Sequence, residues 1–290
     1  MCLLCDFKTQ AAAQPSARES VWSARRGFLL AGAASAAAAV VLPAAAQVDV
    51  GRSSSIRQLV PAAELEKAAA QQYEQMMAEA RNQGALMGAG NPQLRRLRGM
   101  AEQLIPHAAP WNDRAKSWRW EVNLINSPQI NAFCMPGGKI AFYTGILDKL
   151  QLSDDESAMI MGHEMAHALR EHARERLAKT QATGMGLGLL SQLFGLGDLG
   201  NVAANLGTQL LSLRFSRDDE TEADLVGLEL AARSAFQPTA SVSLWQKMAK
   251  ASGSGGPAFL STHPSGPERI QQLQANVPKV QRLYEQARRG

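Results

Sequence analysis

The stretch MGHEMAHALREH, residues 161–172, decides how the rest of the chain is interpreted. It contains the pattern H-E-x-x-H, formed by His163, Glu164 and His167. On a helix, residues four apart lie on one face, so both imidazoles can reach one metal ion. The Glu beside the first His can then take a proton from a water at that metal. Five residues alone fit an ordinary amphipathic helix equally well, so the remaining sequence has to decide.

The helix that carries this pattern is predicted over residues 154–179. Ser153 and Glu156 have the spacing of a capping box, and acidic residues in the first turn suit the helix dipole. His172 comes five residues after His167, which is roughly 140° around a helix. We therefore expect His172 at the surface, flanking the ligands without being one.

Composition indicates one soluble domain, or one domain with appendages. The chain has 290 residues, of which 46% are hydrophobic and 19% are charged. The net charge is only +4, and the basic residues are scattered. Because nucleic-acid binding needs a clustered basic face, no nucleic-acid partner is expected.

The N-terminus has the pattern of an export signal. Arg25 and Arg26 precede an uncharged, Ala-rich run over residues 28–42, and small residues follow. This resembles a twin-arginine signal, with an ordinary Sec signal as the alternative. We expect cleavage after Ala46 and a periplasmic protein, which could also associate with a membrane. Removal of this segment leaves Cys134 as the one cysteine, so no internal disulfide can form.

Hydrophobic patterning predicts an α+β fold that is mainly α-helical, with a small antiparallel sheet packed on the H-E-x-x-H helix. The expected strands cover residues 118–124, 132–135 and 139–143, and a Pro-Gly-Gly turn joins the last two. The chain divides into residues 1–46, a signal peptide; 47–110, an N-terminal helical region with helices at 61–83 and 91–105; 111–275, the domain with the motif; and 276–290, a C-terminal helix.

A third metal ligand is needed, because a catalytic zinc site uses three protein groups and keeps one position for water. Glu220 lies about fifty residues after His167 in a predicted helix that Ser216 caps. Asp224 shares a face with Glu220 and could hydrogen-bond the free N–H of a ligand His. Glu222 points elsewhere on this helix, and we expect it to be solvated.

Residues 183–213 form an apolar segment with seven glycines and a single charge, Asp198. Two interpretations stay open: helices that close over the site, or a surface that contacts a membrane or an unfolded substrate. A full membrane span is not expected, because the glycines and Asp198 break the segment into short pieces. A mobile helical hairpin near the cleft is the preferred interpretation.

Four segments in order carry a family resemblance: NAFCMPGGKIAFYTGIL (131–147), HEMAH (163–167), FSRDDETEAD (215–224) and STHPSGPERI (261–270). Together they resemble the gluzincin peptidases of the HtpX, CAAX-prenyl-protease (Ste24-like) and BepA-like group. The resemblance implies a zinc endopeptidase with one zinc per chain. The implied ligands are His163, His167 and Glu220, and Glu164 is the implied catalytic base. Soluble periplasmic members, BepA-like or LoiP-like, are the expected nearest relatives.

The same resemblance draws attention to His263. In similar periplasmic proteins the His of this His-Pro segment lies at the metal, sometimes as a removable fourth ligand. Two hypotheses follow: His263 is a latch that occupies the water position, or it is a hydrogen-bond donor to the transition state. Arg269, in the same segment, is predicted to pair with a carboxylate of the site.

The predicted function is hydrolysis of peptide bonds in misfolded or unassembled cell-envelope proteins. The strand at residues 131–135 could bind an extended peptide through backbone hydrogen bonds, which suits broad substrate tolerance. The alternative is a zinc-latched periplasmic chaperone or assembly factor for outer-membrane proteins with little proteolysis. Expected partners are unfolded or misassembled polypeptides, and residues 183–213 could contact a membrane or the outer-membrane assembly machinery.

Overall fold

A computed structural model describes residues 48–182, 210, 213–251, 258–263 and 266–290. All of them fall in a single compact unit, Ala45–Gly290. The predicted signal peptide, residues 1–46, lies outside the described residues, as does nearly all of the apolar segment 183–213. Among the helices that are described, none combines the length and apolar character needed to cross a bilayer.

Three strands form one mixed sheet: β1 (Glu121–Ile125), β2 (Ala132–Met135) and β3 (Lys139–Tyr143), in the order β1-β3-β2. The predicted hairpin is confirmed, because β2 and β3 are antiparallel and Gly137 and Gly138 adopt positive φ in its turn. However, β1 runs parallel to β3. The prediction of an antiparallel sheet is wrong for this pair, because β1 skips its neighbour in sequence and pairs with the third strand.

Helices α1 (Ala62–Asn82) and α2 (Pro92–Leu104) confirm the two predicted N-terminal helices. They cover opposite faces of the sheet. Val122 and Leu124 join the core that contains α2, whereas Ile125 packs in a second core with α1. The alternating pattern predicted one buried face for β1, but residues on both faces are buried, because a helix packs on each side.

The motif helix is shorter than predicted. After the short helix α3 (Thr144–Lys149), α4 spans Asp154–Leu169 and begins with the predicted capping box. The chain then turns at Glu171, whose φ is 60°, and α5 (His172–Ala182) begins in a new direction. Neither Gly nor Pro marks this break, so the sequence predicted one continuous helix. The Asn112 amide donates to the Leu169 carbonyl at 3.0 Å and satisfies one group at the end of α4.

Four further helices complete the described fold: α6 (Arg217–Arg233), α7 (Ala240–Lys250), α8 (Ala258–Thr262) and α9 (Pro267–Ala287). The sequence predicted two separate helices where α9 is continuous, and the expected boundary at 275/276 falls inside it. Pro278 removes one backbone donor, but Leu273 and Val280 are both buried in the core and hold the helix on either side of it.

Helices α4 and α6 cross at two glycines. A Cβ atom at Gly227 would lie 2.6 Å from the backbone N of His163, and one at Gly162 would lie 2.8 Å from the Gly227 carbonyl O. Only glycine permits backbones to approach this closely. The crossing therefore brings the first turn of α6 next to the histidines of α4.

Candidate metal centre

His163 and His167 lie on one face of α4 and are both almost fully buried. Their Nε2 atoms are 3.1 Å apart. Glu220, in the first turn of α6, brings its carboxylate to 3.4 Å from His167 Nε2 and 3.6 Å from His163 Nε2. Two predicted ligands from one helix and the third from another thus converge on the same point.

His263 joins this group from the end of α8. Its Nδ1 lies 3.0 Å from Glu220 Oε1 and 3.3 Å from His163 Nε2. One ligand-type atom from each of His163, His167, Glu220 and His263 lies within 4.8 Å of all the others. The side chain that sequence reasoning associated with the metal through the His-Pro segment is therefore the fourth member of the cluster.

The chemistry and spacing of these four groups fit a zinc ion. Nitrogen and oxygen ligands about 2.0–2.1 Å from a tetrahedral zinc lie roughly 3.3 Å from one another. Four of the separations between these nitrogen and oxygen atoms lie between 3.0 Å and 3.4 Å, and one atom from each of the four residues lies within 4.8 Å of the others. Three imidazoles and one carboxylate also belong to the ligand types that zinc prefers.

Glu164 lies beside the cluster without joining it. Its Oε1 atom is buried and has no hydrogen-bond partner among the described residues, and His263 Nε2 is 3.4 Å away without forming a hydrogen bond. Burial raises the pKa of the Glu164 carboxyl, and the charges of His263 and His163 only partly oppose that rise. A buried carboxylate with a free oxygen and a raised pKa is suited to accept a proton.

Asp224 and Arg269 hold the ligands from behind. Asp224 Oδ1 lies 3.1 Å from His163 Nδ1, the nitrogen that faces away from the cluster. Arg269 donates to Asp224 at 2.5 Å and to Glu220 Oε2 at 2.6 Å, so its predicted pairing with a site carboxylate is confirmed. The guanidinium also stacks 3.4 Å from the centre of the Trp245 ring, which sequence reasoning missed.

Two predictions about polar residues near the motif are wrong. His172 is not at the surface: it is 2% exposed, and its Nδ1 lies 2.9 Å from His167 Nδ1. The expected position, roughly 140° around the helix, holds only while the helix continues, and the turn at Glu171 redirects the His172 side chain inward. Glu222 is not simply solvated, because Arg170 donates to it at 2.7 Å and His172 Nε2 lies 3.3 Å away.

Two aromatic rings that the sequence analysis did not single out pack on the histidines. Phe215 stacks on His167 with ring centres 3.9 Å apart, and Phe259 stacks on His263 at 4.4 Å. Phe215 immediately precedes Ser216, the residue that caps α6. An apolar residue just before a cap is a recognisable signal for packing near a helix start, and it could have identified Phe215.

A cleft opens beside the cluster and is bordered by strand β2. Its lining includes residues 131–136, Glu164, His263 and two leucines from the apolar segment, Leu210 and Leu213. Strand β2 is the edge strand next to this opening in the described sheet. Cys134 lies on β2, and burial raises the pKa of its thiol, which disfavours the thiolate form that a nucleophile needs.

Together these features define a class of protein. A buried H-E-x-x-H helix, a carboxylate from a second helix and a small sheet beside them are typical of zinc-dependent metallopeptidases. The family model for Peptidase family M48 matches residues 93–277, which is more than half of the chain. The chain belongs to that family.

Individual relatives match about half of the chain. The chain is 39% identical over 166 residues to mitochondrial metalloendopeptidase OMA1 of Schizosaccharomyces pombe, covering 56% of this chain and 48% of that protein. It is 29% identical over 155 residues to metalloprotease LoiP of Escherichia coli, covering 50% and 57%. It is 31% identical over 159 residues to the beta-barrel assembly-enhancing protease of Yersinia pestis, covering 51% and 32%.

These relatives correct one prediction. LoiP-like and BepA-like proteins were expected to be nearest, but identity is higher with the fission-yeast OMA1 protein than with LoiP. The chain also spans only about half the length of the OMA1 relative it matches. The four resembling segments indicated the family, but they did not predict the higher identity with OMA1.

Proposed function

We propose that this protein is a zinc-dependent endopeptidase that cleaves misfolded or unassembled cell-envelope proteins. The observation that carries the proposal is the convergence of His163, His167 and Glu220 beside Glu164, whose buried Oε1 accepts no hydrogen bond from the described residues. In this proposal one zinc per chain is held by the two histidines and Glu220. Bound there, zinc would polarise the scissile carbonyl and lower the pKa of the attacking water.

The residues of the chain then divide the remaining work. Glu164 takes the proton of the attacking water on its free Oε1 and returns it to the leaving amine. Asp224 accepts the Nδ1 proton of His163 and so keeps Nε2 available as a ligand. Arg269 holds Glu220 and Asp224 in place through short hydrogen bonds to both.

An extended polypeptide fits the cleft best. Strand β2 is an edge strand beside Glu164 and His263, and an edge offers backbone groups with which a substrate strand can pair. Pairing through the backbone is independent of side chains and requires an unfolded segment. This supports misfolded or unassembled proteins as the substrate class.

His263 supports a latched resting state. Its Nδ1 lies 3.0 Å from Glu220 Oε1 and 3.3 Å from His163 Nε2, and two ligand atoms of one zinc ion have about this separation. A histidine in that position would exclude the attacking water until it moves. The same observation favours the second candidate function, a zinc-latched chaperone or assembly factor with little proteolysis.

We propose the periplasm as the compartment, on the strength of the twin-arginine-like pattern in residues 1–46. Similarity to a beta-barrel assembly-enhancing protease supports an envelope role. Similarity to LoiP and to mitochondrial OMA1 supports the protease chemistry but not that compartment. Contact of residues 183–213 with a membrane or an assembly machinery stays part of the proposal. Fractionation of the producing cell tests the compartment.

Casein cleavage by wild type and by Glu164→Gln tests the function, with zinc content measured in both. We expect both proteins to contain zinc and the variant to lose about 10²–10⁴-fold in rate, because its amide cannot accept the proton of the water. Glu175→Gln is a matched control, since Glu175 is a buried glutamate on α5 that pairs with Lys179. A zinc-loaded wild type that cleaves nothing, together with a Glu164→Gln variant that still complements a deletion, would favour the chaperone.

A further inference from the structure

A polar chain leads away from His167 on the side opposite the metal cluster. His167 Nδ1 lies 2.9 Å from His172 Nδ1, and His172 Nε2 lies 3.3 Å from Glu222 Oε2. Arg170 donates from Nε to the same Glu222 oxygen at 2.7 Å. His172 is buried, whereas the Glu222 side chain is 26% exposed. This series of hydrogen-bonded side chains therefore runs from the metal cluster towards solvent.

When His167 serves as a metal ligand, only one placement of protons satisfies the hydrogen bonds among His167, His172 and Glu222. Its Nε2 must present a lone pair to the metal, so the proton of the neutral ring is on Nδ1. Two Nδ1 atoms 2.9 Å apart form a hydrogen bond only if one of them carries the proton. His172 Nδ1 is therefore the acceptor, its own proton is on Nε2, and Nε2 donates to Glu222.

The fold builds this contact specifically. After the turn at Glu171, α5 begins at His172. The His172 ring then points towards Nδ1 of His167. Arg170, the residue that caps the C-terminus of α4, donates to Glu222 on α6 and also to the Gly51 carbonyl at 3.0 Å. Three elements thus converge on one imidazole that contributes no ligand atom to the cluster.

We propose that His172 and Glu222 are positioning residues that orient His167 and hold the tautomer in which its Nε2 binds zinc. The inference rests on the proposed zinc site and deepens it. The two histidine ligands are then supported in different ways: a carboxylate, Asp224, accepts directly from His163. For His167, a histidine stands between the ligand and the carboxylate. Partners of this kind raise the basicity of the ligand and restrict its rotation.

Zinc affinity, measured on the full chain by competition with a chromophoric chelator, tests the inference. We expect His172→Phe, which keeps a ring but has no acceptor, to bind zinc about 10–100-fold more weakly than wild type. His172→Asn should bind close to wild type, because its amide oxygen can occupy the position of Nδ1 and accept the same proton. Rescue by Asn separates hydrogen bonding from mere packing.

Glu222 acts through His172 in this proposal, and a double-mutant cycle checks that. Glu222→Met alone should weaken zinc binding, but adding it to His172→Phe should cause little further loss. Independent losses that simply add would contradict the relay. Because Glu222 is partly exposed, this variant also keeps the test informative if His172→Phe does not fold.

Glu175→Gln, on the same helix as His172, is the control and should bind zinc as wild type does. The melting temperature of each zinc-free variant shows whether the fold is intact. Unchanged affinity in His172→Phe, or equal loss in the Phe and Asn variants of a folded protein, would overturn the inference alone. A wild type that binds no zinc would instead remove the proposed function on which it rests.

Discussion

His263 lies between the proposed metal ligands and the proposed catalytic base, Glu164. Its Nδ1 contacts the ligands Glu220 and His163, and its Nε2 lies 3.4 Å from the Glu164 carboxylate. Burial lowers the pKa of His263, but the negative charges of Glu164 and Glu220 outweigh that effect, so the pKa is raised overall. A single side chain at this position can occupy the fourth ligand site with one ring nitrogen while the other faces the catalytic base.

Replacing His263 by Ala distinguishes its two hypothetical roles. We expect faster casein cleavage, because the fourth ligand position would then be open to water. If His263 instead donates a hydrogen bond to the transition state, the rate should fall by about 10²–10³-fold. Initial cleavage rates at equal zinc content decide between these outcomes.

His107→Ala is the matched control, because His107 lies in a separate short helix, Ile105–His107, and is not one of the four cluster residues. The double variant His263→Ala with Glu164→Gln should be inactive if the gain arises at this site. An unchanged rate in the single variant would contradict both roles of His263.

At the scale of elements, the site depends on how closely α4 and α6 approach. Gly162 and Gly227 let the two backbones touch at the level of His163. Glu220 lies seven residues before Gly227 on α6, and the close crossing brings its carboxylate within 3.6 Å of His163 and His167. The capping boxes at Ser153 and Ser216 fix where each helix starts, and hence which residues face the crossing.

Gly227→Ala should therefore weaken both the fold and the site. The new methyl group would meet backbone atoms of Gly162 and His163 at less than 3.0 Å, and backbone cannot move aside as a side chain can. We expect a loss of about 1–3 kcal/mol in the free energy of unfolding. Zinc affinity should fall as well, because separation of the helices moves Glu220 away from His163. Denaturant unfolding and chelator competition measure the two effects.

Gly99→Ala provides the contrast within α2. A Cβ atom at Gly99 meets no atom within 4 Å, and the residue is inside a helix, so this variant should gain roughly 0.5–1 kcal/mol. A Gly227→Ala protein as stable as wild type would show that the crossing tolerates a wider spacing than the structure has.

At the scale of the whole molecule, a metal ion would connect distant parts of the chain. The four cluster residues come from α4, from α6 and from the end of α8, and they are up to 100 residues apart in sequence. An ion that binds only the folded arrangement stabilises it by mass action. The zinc site should therefore stabilise the fold as well as support catalysis.

Removal of zinc by a chelator should lower the melting temperature by on the order of 10 °C, and added zinc should restore it. Thermal unfolding followed by circular dichroism measures both. The inactive Glu164→Gln variant should show the same shift, because Glu164 is not a proposed ligand. A melting temperature that does not respond to chelator or zinc would contradict a site formed by these elements.

Local patterns predicted much of the fold. The helices at 62–82 and 92–104, the β2–β3 hairpin and the capped starts of α4 and α6 all follow from short-range signals: Pro and Asn at helix starts, Gly at turns, and Ser followed by an acidic residue. The spacing of His163, Glu164 and His167 is likewise local. A periodicity of 3.6 residues was enough to place both imidazoles on one face.

Long-range packing decided the rest. The parallel pairing of β1 with β3 and the continuity of α9 through Pro278 depend on neighbours that no local window contains. The same holds for the turn at Glu171, which ends α4 without Gly or Pro and converts His172 from an expected surface residue into a buried partner of His167. Sequence spacing specifies the face of a helix only while the helix continues, and packing contacts determine where it stops.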